Sequence, residues 1–423
     1  MAQTATHLDL THDTMRASEG HARPVSLWFL FTTFLAIGSI AFGGFMALIS
    51  VIESRIVKRH ALLEHKEMLD AISLANLLPG PQAVNVVAFV GYRLRGPLGA
   101  LVCAVAVLVP TFFMVLALSY LYFKYGEIAP VQKMFQGFIP AVSAIVLSVA
   151  WRLGKKTAQG WRELLLVSLA FGALLLVPLH YKLYTTLGIV VSFGVAGYFL
   201  FRTRIAAGAQ ESTQRPFSKL RFAIVMLLLS TLVLLWFLPL PLRHDSLLFV
   251  TLTFASMSLI LFGGGYVFIP IIGSVVVLQL GWVSQQEFTD GIAMGQITPG
   301  PILISAAFIG YKLHGFWGAL LSTVAIFAPP ATLMVTASHA LGFIQNSKLM
   351  RAAMHGIHCG VIGMIAVAAL VLLKAGFPAW PFGFSAAWPS TFILLASLFA
   401  LIRYNLDVLW IILTAGALGY LLY

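Results

Sequence analysis

Four glycine- and proline-rich interruptions in otherwise apolar sequence could do chemistry in this chain. The first copy carries Phe42-Gly43-Gly44 and then Leu78-Pro79-Gly80-Pro81. The second carries Phe262-Gly263-Gly264-Gly265 and then Thr298-Pro299-Gly300-Pro301. Gly43 recurs as Gly263 and Pro79 as Pro299 at one constant offset. The trailing Gly91-Tyr92-Arg93-Leu94-Arg95-Gly96 returns as Gly310-Tyr311-Lys312-Leu313-His314-Gly315, shifted by a single deletion. Proline lacks an N–H and pushes the residue before it out of the helical region. Each P-G-P therefore ends a helix, about 67–77 in one copy and 287–297 in the other, and starts a new one near Gln82 and Ile302. The glycines of F-G-G open the backbone likewise, at no steric cost. A helix start presents unbonded amides and about half a positive charge, so four starts sum to roughly +2. That chemistry suits a dianion, bound by backbone dipoles without a buried lysine.

Side chains near the breaks add donors. Asn76, Gln82, Gln296 and Thr298 are candidates for anion contact, with Asn85 and Ser305 behind them; the alternative is that these polar groups join helices to one another. Glu67 and Asp70, and again Glu287 and Asp290, repeat three residues apart on one helix face, a spacing that could carry protons or another coupling ion. Ser284-x-x-Glu287 also reads as a capping box, in which the glutamate is structural. Arg93 reads as a cytoplasmic surface residue and Lys312 as a candidate for a substrate funnel. His355 and His358 share a face and read as packed or pore-lining. No metal site and no cofactor is expected.

The elements that must position these residues are membrane helices. The chain has 423 residues, 60% hydrophobic and 9% charged, far from the roughly 25% charged residues of soluble domains. Runs without Asp, Glu, Lys or Arg, such as 24–52, 96–123, 246–286 and 352–373, are long enough for the roughly 20 residues that cross a bilayer. The fold class expected is an all-α polytopic membrane protein. Net charge is +12, but the cations sit in short loops, where they act as topology signals rather than a nucleic-acid surface. The two cysteines, Cys103 and Cys359, fall in apolar runs and make no disulfide framework. Residues 1–25, with His7, His12 and His21, read as a cytoplasmic tail rather than a signal peptide or metal site.

Domain organisation follows the repeat: 26–201, then 202–245 as a basic linker with one unpaired apolar helix, then 246–423. An odd helix between two copies suggests that the second is inverted. Charges agree: 53–66 carries Arg55, Lys58, Arg59 and Lys66, whereas 273–286 carries no charge; 152–162 has four cations, whereas 371–381 has only Lys374. Loops basic in one copy and bare in the other belong on opposite sides of the membrane. If the broken segments cross, the chain spans the bilayer 13 times; if they re-enter, nine times. Re-entry is favoured because it keeps Arg55, Lys58 and Arg59 cytoplasmic, although 26–42 is nearly long enough to cross. Either way the N-terminus is inside.

These motifs resemble the chromate ion transporter family in its long, two-domain form. The likeness runs from about Trp28 and is densest over Phe262-Gly263-Gly264-Gly265-Tyr266 to Pro270 and from Gly281-Trp282 to Gly315. It includes Asp290-Gly291, Gly295-Gln296-Ile297-Thr298-Pro299-Gly300-Pro301 and Gly310-Tyr311. The resemblance implies a prokaryotic plasma-membrane transporter that exports chromate, with sulfate as a related oxyanion, driven chemiosmotically. The chain lacks a Walker-type G-x-x-x-x-G-K-[ST], consistent with that coupling. It departs from the family pattern after the first F-G-G, where Phe45, Met46, Ala47 and Leu48 replace a proline and a more polar stretch; the first copy then contributes less to ion contact. A passive anion channel would use the same pore dipoles. A membrane-embedded enzyme would need a cluster of acids, histidines or a nucleophile beyond the paired Glu/Asp sites. Assembly as a homodimer is left open.

Overall fold

The computed structural model describes residues 25–42, 44–126, 128–178, 181–202, 219–237, 243–262, 265, 268–340, 347–376 and 388–423. Gly43, Gly263, Gly264, the tail histidines and most of the linker lie outside the described residues. The first copy runs α1 (Leu27–Ile40), α2 (Gly44–Ile52, continued as a π-turn over Glu53–Arg59), α3 (His65–Leu77), α4 (Gln82–Tyr125), α5 (Ala129–Thr157), α6 (Trp161–Leu176) and α7 (Lys182–Phe201). The unpaired helix is α8 (Lys219–Phe237). The second copy runs α9 (Leu247–Ser258), α10 (Phe268–Gly273, continued as a π-turn over Ser274–Gln279), α11 (Gln285–Ile297), a 3-10 turn (Ile302–Ile304), α12 (Ser305–Ala337), α13 (Lys348–Gly376), α14 (Trp388–Arg403) and α15 (Val408–Leu422). No strand occurs among the described residues.

The four interruptions fall between the arms of four helical hairpins. In each, the start of the first arm meets the end of the second. Phe29, at the start of α1, packs edge-on against His60, just after the π-turn of α2. Glu67 near the start of α3 lies 4.0 Å from Arg93, well beyond Pro81 on the returning arm. The His244 carbonyl, ahead of α9, accepts from the Trp282 indole at 3.1 Å. Glu287 near the start of α11 bonds Lys312 at 2.6 Å. An arm of about 13 residues reaches about 20 Å, short of the roughly 30 Å hydrocarbon core. Each pair of arms doubles back on itself.

The second and fourth hairpins end in a tight reversal inside what is nominally one helix. Arg95 (φ −145°) and Gly96 (φ +65°) break α4, and His314 (φ −142°) and Gly315 (φ +57°) break α12 at the matching place. Only glycine adopts those positive φ values readily. The reversal brings Gly91 against the Gly99 backbone and Gly310 against Gly318. The long arms that follow are apolar. Among the described residues, five helices are long and apolar enough to span a bilayer: Gln82–Tyr125, Ala129–Thr157, Tyr184–Phe201, Ile302–Ala337 and Lys348–Leu373. Shorter apolar helices pack around them, and large side chains such as Trp28, Leu176 and Leu421 stay exposed, as expected where the solvent is lipid. The protein is a multi-pass, all-α membrane protein.

The copies are interleaved rather than side by side. Helix α13 packs along α5, α6 and α7, and α5 packs along α13, α14 and α15. Glycines make these crossings possible: a Cβ on Gly356 would fall 2.6 Å from the Gly197 Cα, and one on Gly419 2.8 Å from the Gly137 Cα. Lipid supplies no hydrophobic drive between helices, so close backbone packing of small residues has to hold them. Helix α6 runs in the same direction as α13, with Glu163 beside His355 and Ala170 beside Gly363. Helix α5 comes beside α13 with Gly154 at Ile362 and Lys156 near His358, so α5 runs opposite to α13, its counterpart in the repeat. Gly356→Leu is expected to force the α7–α13 crossing apart at about 1–3 kcal/mol, read as a lower thermal unfolding midpoint in detergent.

Candidate functional site

The two P-G-P turns are built alike and each locks onto the other copy. Leu78 and Thr298 leave their helices in extended conformation, and Gly80 (φ +99°) and Gly300 (φ +114°) turn the chain into the next arm. The Gly80 amide donates to the Leu261 carbonyl at 2.6 Å, at the second-copy F-G-G break. The Gly300 amide donates to the Ala41 carbonyl at 2.9 Å, at the first-copy break. Pro330 packs against Gly80, and Thr111 takes the mirrored place against Gly300 while its hydroxyl donates to the Pro299 carbonyl. These contacts place all four hairpin tips together. They also occupy the backbone amides of both turn glycines.

At the junction lies a small cavity lined by Phe45, Pro81, Gln82, Ala83, Gly265, Pro301, Ile302 and Leu303. The lining falls into pairs at the offset of the repeat: Phe45 with Gly265, Pro81 with Pro301, Gln82 with Ile302, Ala83 with Leu303. Gln82 and Ala83 begin α4, Ile302 and Leu303 begin the turn into α12, Phe45 lies in the first turn of α2, and Gly265 precedes α10. The first amides of a helix have no partner within it, so three of the hairpins bring a helix start to this cavity and the third hairpin brings Gly265. It has room for about one water.

Other candidates distribute unevenly. Asn85 is fully buried and donates to the Pro79 carbonyl at 3.1 Å, bracing the first turn, while its Oδ1 has no partner. Gln296 is buried with its Nε2 unpartnered, just before the second turn. Thr298 and Ser305 bond back to the carbonyls of Gly295 and Ile302, bracing that turn. Asn76 is exposed on α3, and Gly44 starts α2. Glu67 and Glu287 sit at the open ends of their hairpins, each closing a capping box, and Lys312 joins Glu287 there, away from the turn. Arg93, read from sequence as a surface residue, has a side chain only 9% exposed and faces Glu67 across its hairpin.

The two aspartates of the repeat have become different sites. Asp290 is 1% exposed, accepts from the Tyr122 hydroxyl at 2.7 Å, and has the Gln286 amide 3.4 Å from both oxygens. Rings of Phe123, Phe135 and Phe308 enclose Tyr122. Asp70, buried to 7% exposure, has Lys66 one turn ahead where Asp290 has Gln286. Thr111, Pro330 and Tyr122 escaped the sequence reading. Pro110 and Pro329, at matching places of the repeat within apolar runs, were the available signal for the first two.

Two segments, residues 28–198 and 248–420, each match the chromate transporter family. The chain belongs to that family. As a chromate transporter family member it resembles a chromate transport protein of Cupriavidus metallidurans, 29% identical over 366 residues that cover 86% of each chain. A chromate transport protein of Pseudomonas aeruginosa is 27% identical over 412 residues, 95% of this chain and 93% of the relative. An uncharacterized transporter of Methanocaldococcus jannaschii is 27% identical over 393 residues, 93% and 94% of the two chains. No solved structure matches. The double match falls on the two copies that the hairpins define.

Proposed function

We propose that this protein is a secondary active transporter that exports chromate across the plasma membrane, driven chemiosmotically. The observation that carries this reading is the cavity lined from all four hairpins, three of which bring a helix start to it. A tetrahedral dianion there would be held by backbone amides and dipoles, with Gln82, Gln296 and Thr298 as nearby polar groups. Distributed dipoles avoid the large cost of burying a bare counter-charge. Because the cavity holds about one water, the form described is closed to substrate, and the interlocked turns must part for the anion to bind. Asp290 is the group we assign to proton coupling. A buried carboxylate bonded by a hydroxyl and an amide, rather than by a cation, can gain and lose charge.

In this reading the four hairpins re-enter, the chain crosses nine times, and the second copy is inverted, with the N-terminus and the basic loops of the first copy in the cytoplasm. The opposed directions of α5 and α13 and the closing contacts of each hairpin support it. The same site would accept sulfate, and a passive anion channel is the competing mechanism.

Uptake of labelled chromate and sulfate into inverted vesicles, with and without a proton gradient, tests these readings together. Chromate accumulation that collapses when the gradient is dissipated is expected. Current without a coupled ion would make the protein a channel, and sulfate uptake without chromate uptake would move the substrate. The Lys312–Glu287 pair is expected to act structurally. Lys312→Gln should cost about 1 kcal/mol or less of stability, as for partly exposed pairs, and leave the anion affinity of the purified protein within about twofold, measured by calorimetry.

A further inference from the structure

A second titratable cluster lies where α13 meets α6 and α3. Glu163, in the first turn of α6, is a buried carboxylate whose Oε1 lies 3.6 Å from the His355 Nε2 of α13. Its other oxygen, Oε2, is buried, packs beside Gly160 and makes no hydrogen bond. His355 also meets the Phe201 ring edge-on at 4.6 Å. One helical turn further along α13, His358 comes beside the backbone of Asn76, just before the Pro79 turn, where α13 touches α3. His358 lies about 15 Å along α13 from Lys348. The other titratable or charged groups facing the cluster are Lys156 from α5 and Cys359 on α13; Asp70 lies earlier on α3.

The fold does not require these groups. In the mirrored contact of α14 with α5, Ser390 stands where Glu163 does, at the same step after a helix-starting tryptophan. Gln136 and Ile139 occupy the places in the first copy that His355 and His358 hold in the second. The same packing is thus made with uncharged side chains on one side of the molecule and with a carboxylate and two imidazoles on the other. Placing ionisable groups inside a membrane protein is costly, and buried pairs contribute little net stability. A one-sided cluster joined to the substrate turn is better explained by function.

We propose that Glu163, His355 and His358 form a proton-binding site coupled to the anion site through the His358–Asn76 contact. This rests on the anion site proposed above. One proton taken from water adds one N–H or O–H bond within the cluster and one positive charge beside a turn that would hold a dianion, so proton and anion favour one another's binding. The site is separate from Asp290, which lies on the other copy's hairpin.

The test is anion affinity against pH in purified protein, with sulfate and chromate as probes, sulfate because it does not itself titrate in this range. In wild type, affinity is expected to rise up to about tenfold per unit of acidification within about pH 5 to 8, with proton uptake on sulfate addition seen by an indicator dye. Glu163→Gln and His358→Gln should each flatten that slope while Asp290→Asn leaves this component in place. Unchanged slopes in both variants, or no proton uptake by wild type, would overturn the proposal; the dye measurement needs no variant and decides the matter if the substitutions fail to fold. If neither anion binds to wild type, the anion site itself is refuted and the coupling with it. Binding that persists with a slope insensitive to the cluster refutes the coupling alone.

Discussion

Cells expressing the Gly80→Ala, Gly300→Ala double variant are expected to lose chromate transport by at least about a hundredfold while the protein still reaches the membrane. Each glycine holds a φ near or above +100°, where an L-residue costs about 1–3 kcal/mol. A methyl on Gly300 would meet the Thr111 hydroxyl at 2.7 Å, which can rotate aside, whereas one on Gly80 would strike the rigid Pro330 ring. Each change also threatens an amide bond to the opposite copy, worth about 0.5–1.5 kcal/mol net and more if the carbonyl is left buried and unpaired. Gly80→Ala should accordingly be the more damaging single change. Labelled chromate accumulation, scaled to membrane protein by immunoblot, measures the effect. Wild-type rates in the double variant would remove the turns from the mechanism.

Asp290→Asn is expected to uncouple transport from the proton gradient. The amide keeps the volume and much of the hydrogen bonding to Tyr122 and Gln286, so folding should survive, but the side chain no longer changes charge. Gradient-driven accumulation in inverted vesicles should fall at least about tenfold, while downhill exchange of labelled for unlabelled anion continues. Asp70→Asn serves as the comparison, because its site carries Lys66 in place of Gln286. Retention of full gradient dependence by Asp290→Asn would show that the carrier lies elsewhere.

Much of this arrangement was legible from local rules. The helix ends at Leu77 and Ile297, the start at Gln82 and the capping box at Ser284 and Glu287 follow from proline, glycine and hydroxyl chemistry within a few residues. In the second copy the local rule was incomplete, since a 3-10 turn over Ile302–Ile304 precedes α12. Hidden from sequence were the contacts that join distant segments. The Thr111 bond to Pro299 spans 188 residues and the Tyr122 bond to Asp290 spans 168. Neither hydroxyl has a local pattern that reveals its partner. For Lys312 the distance from Pro301 was readable, but the return of its arm alongside Glu287 was not. The closed cavity depends on how tightly the tips abut, a matter of packing between copies that no spacing encodes.

The reciprocal amide bonds of Gly80 and Gly300 bear on how such a chain could be divided. A lone half would carry one turn whose donor lacks its acceptor and one break whose carbonyl lacks its donor, both in surroundings without water to substitute. Two halves produced as separate polypeptides, cut between residues 203 and 218, should therefore rescue each other when made together and be degraded when made singly. The wiring favours obligate pairing of the two halves, whether or not a peptide connects them.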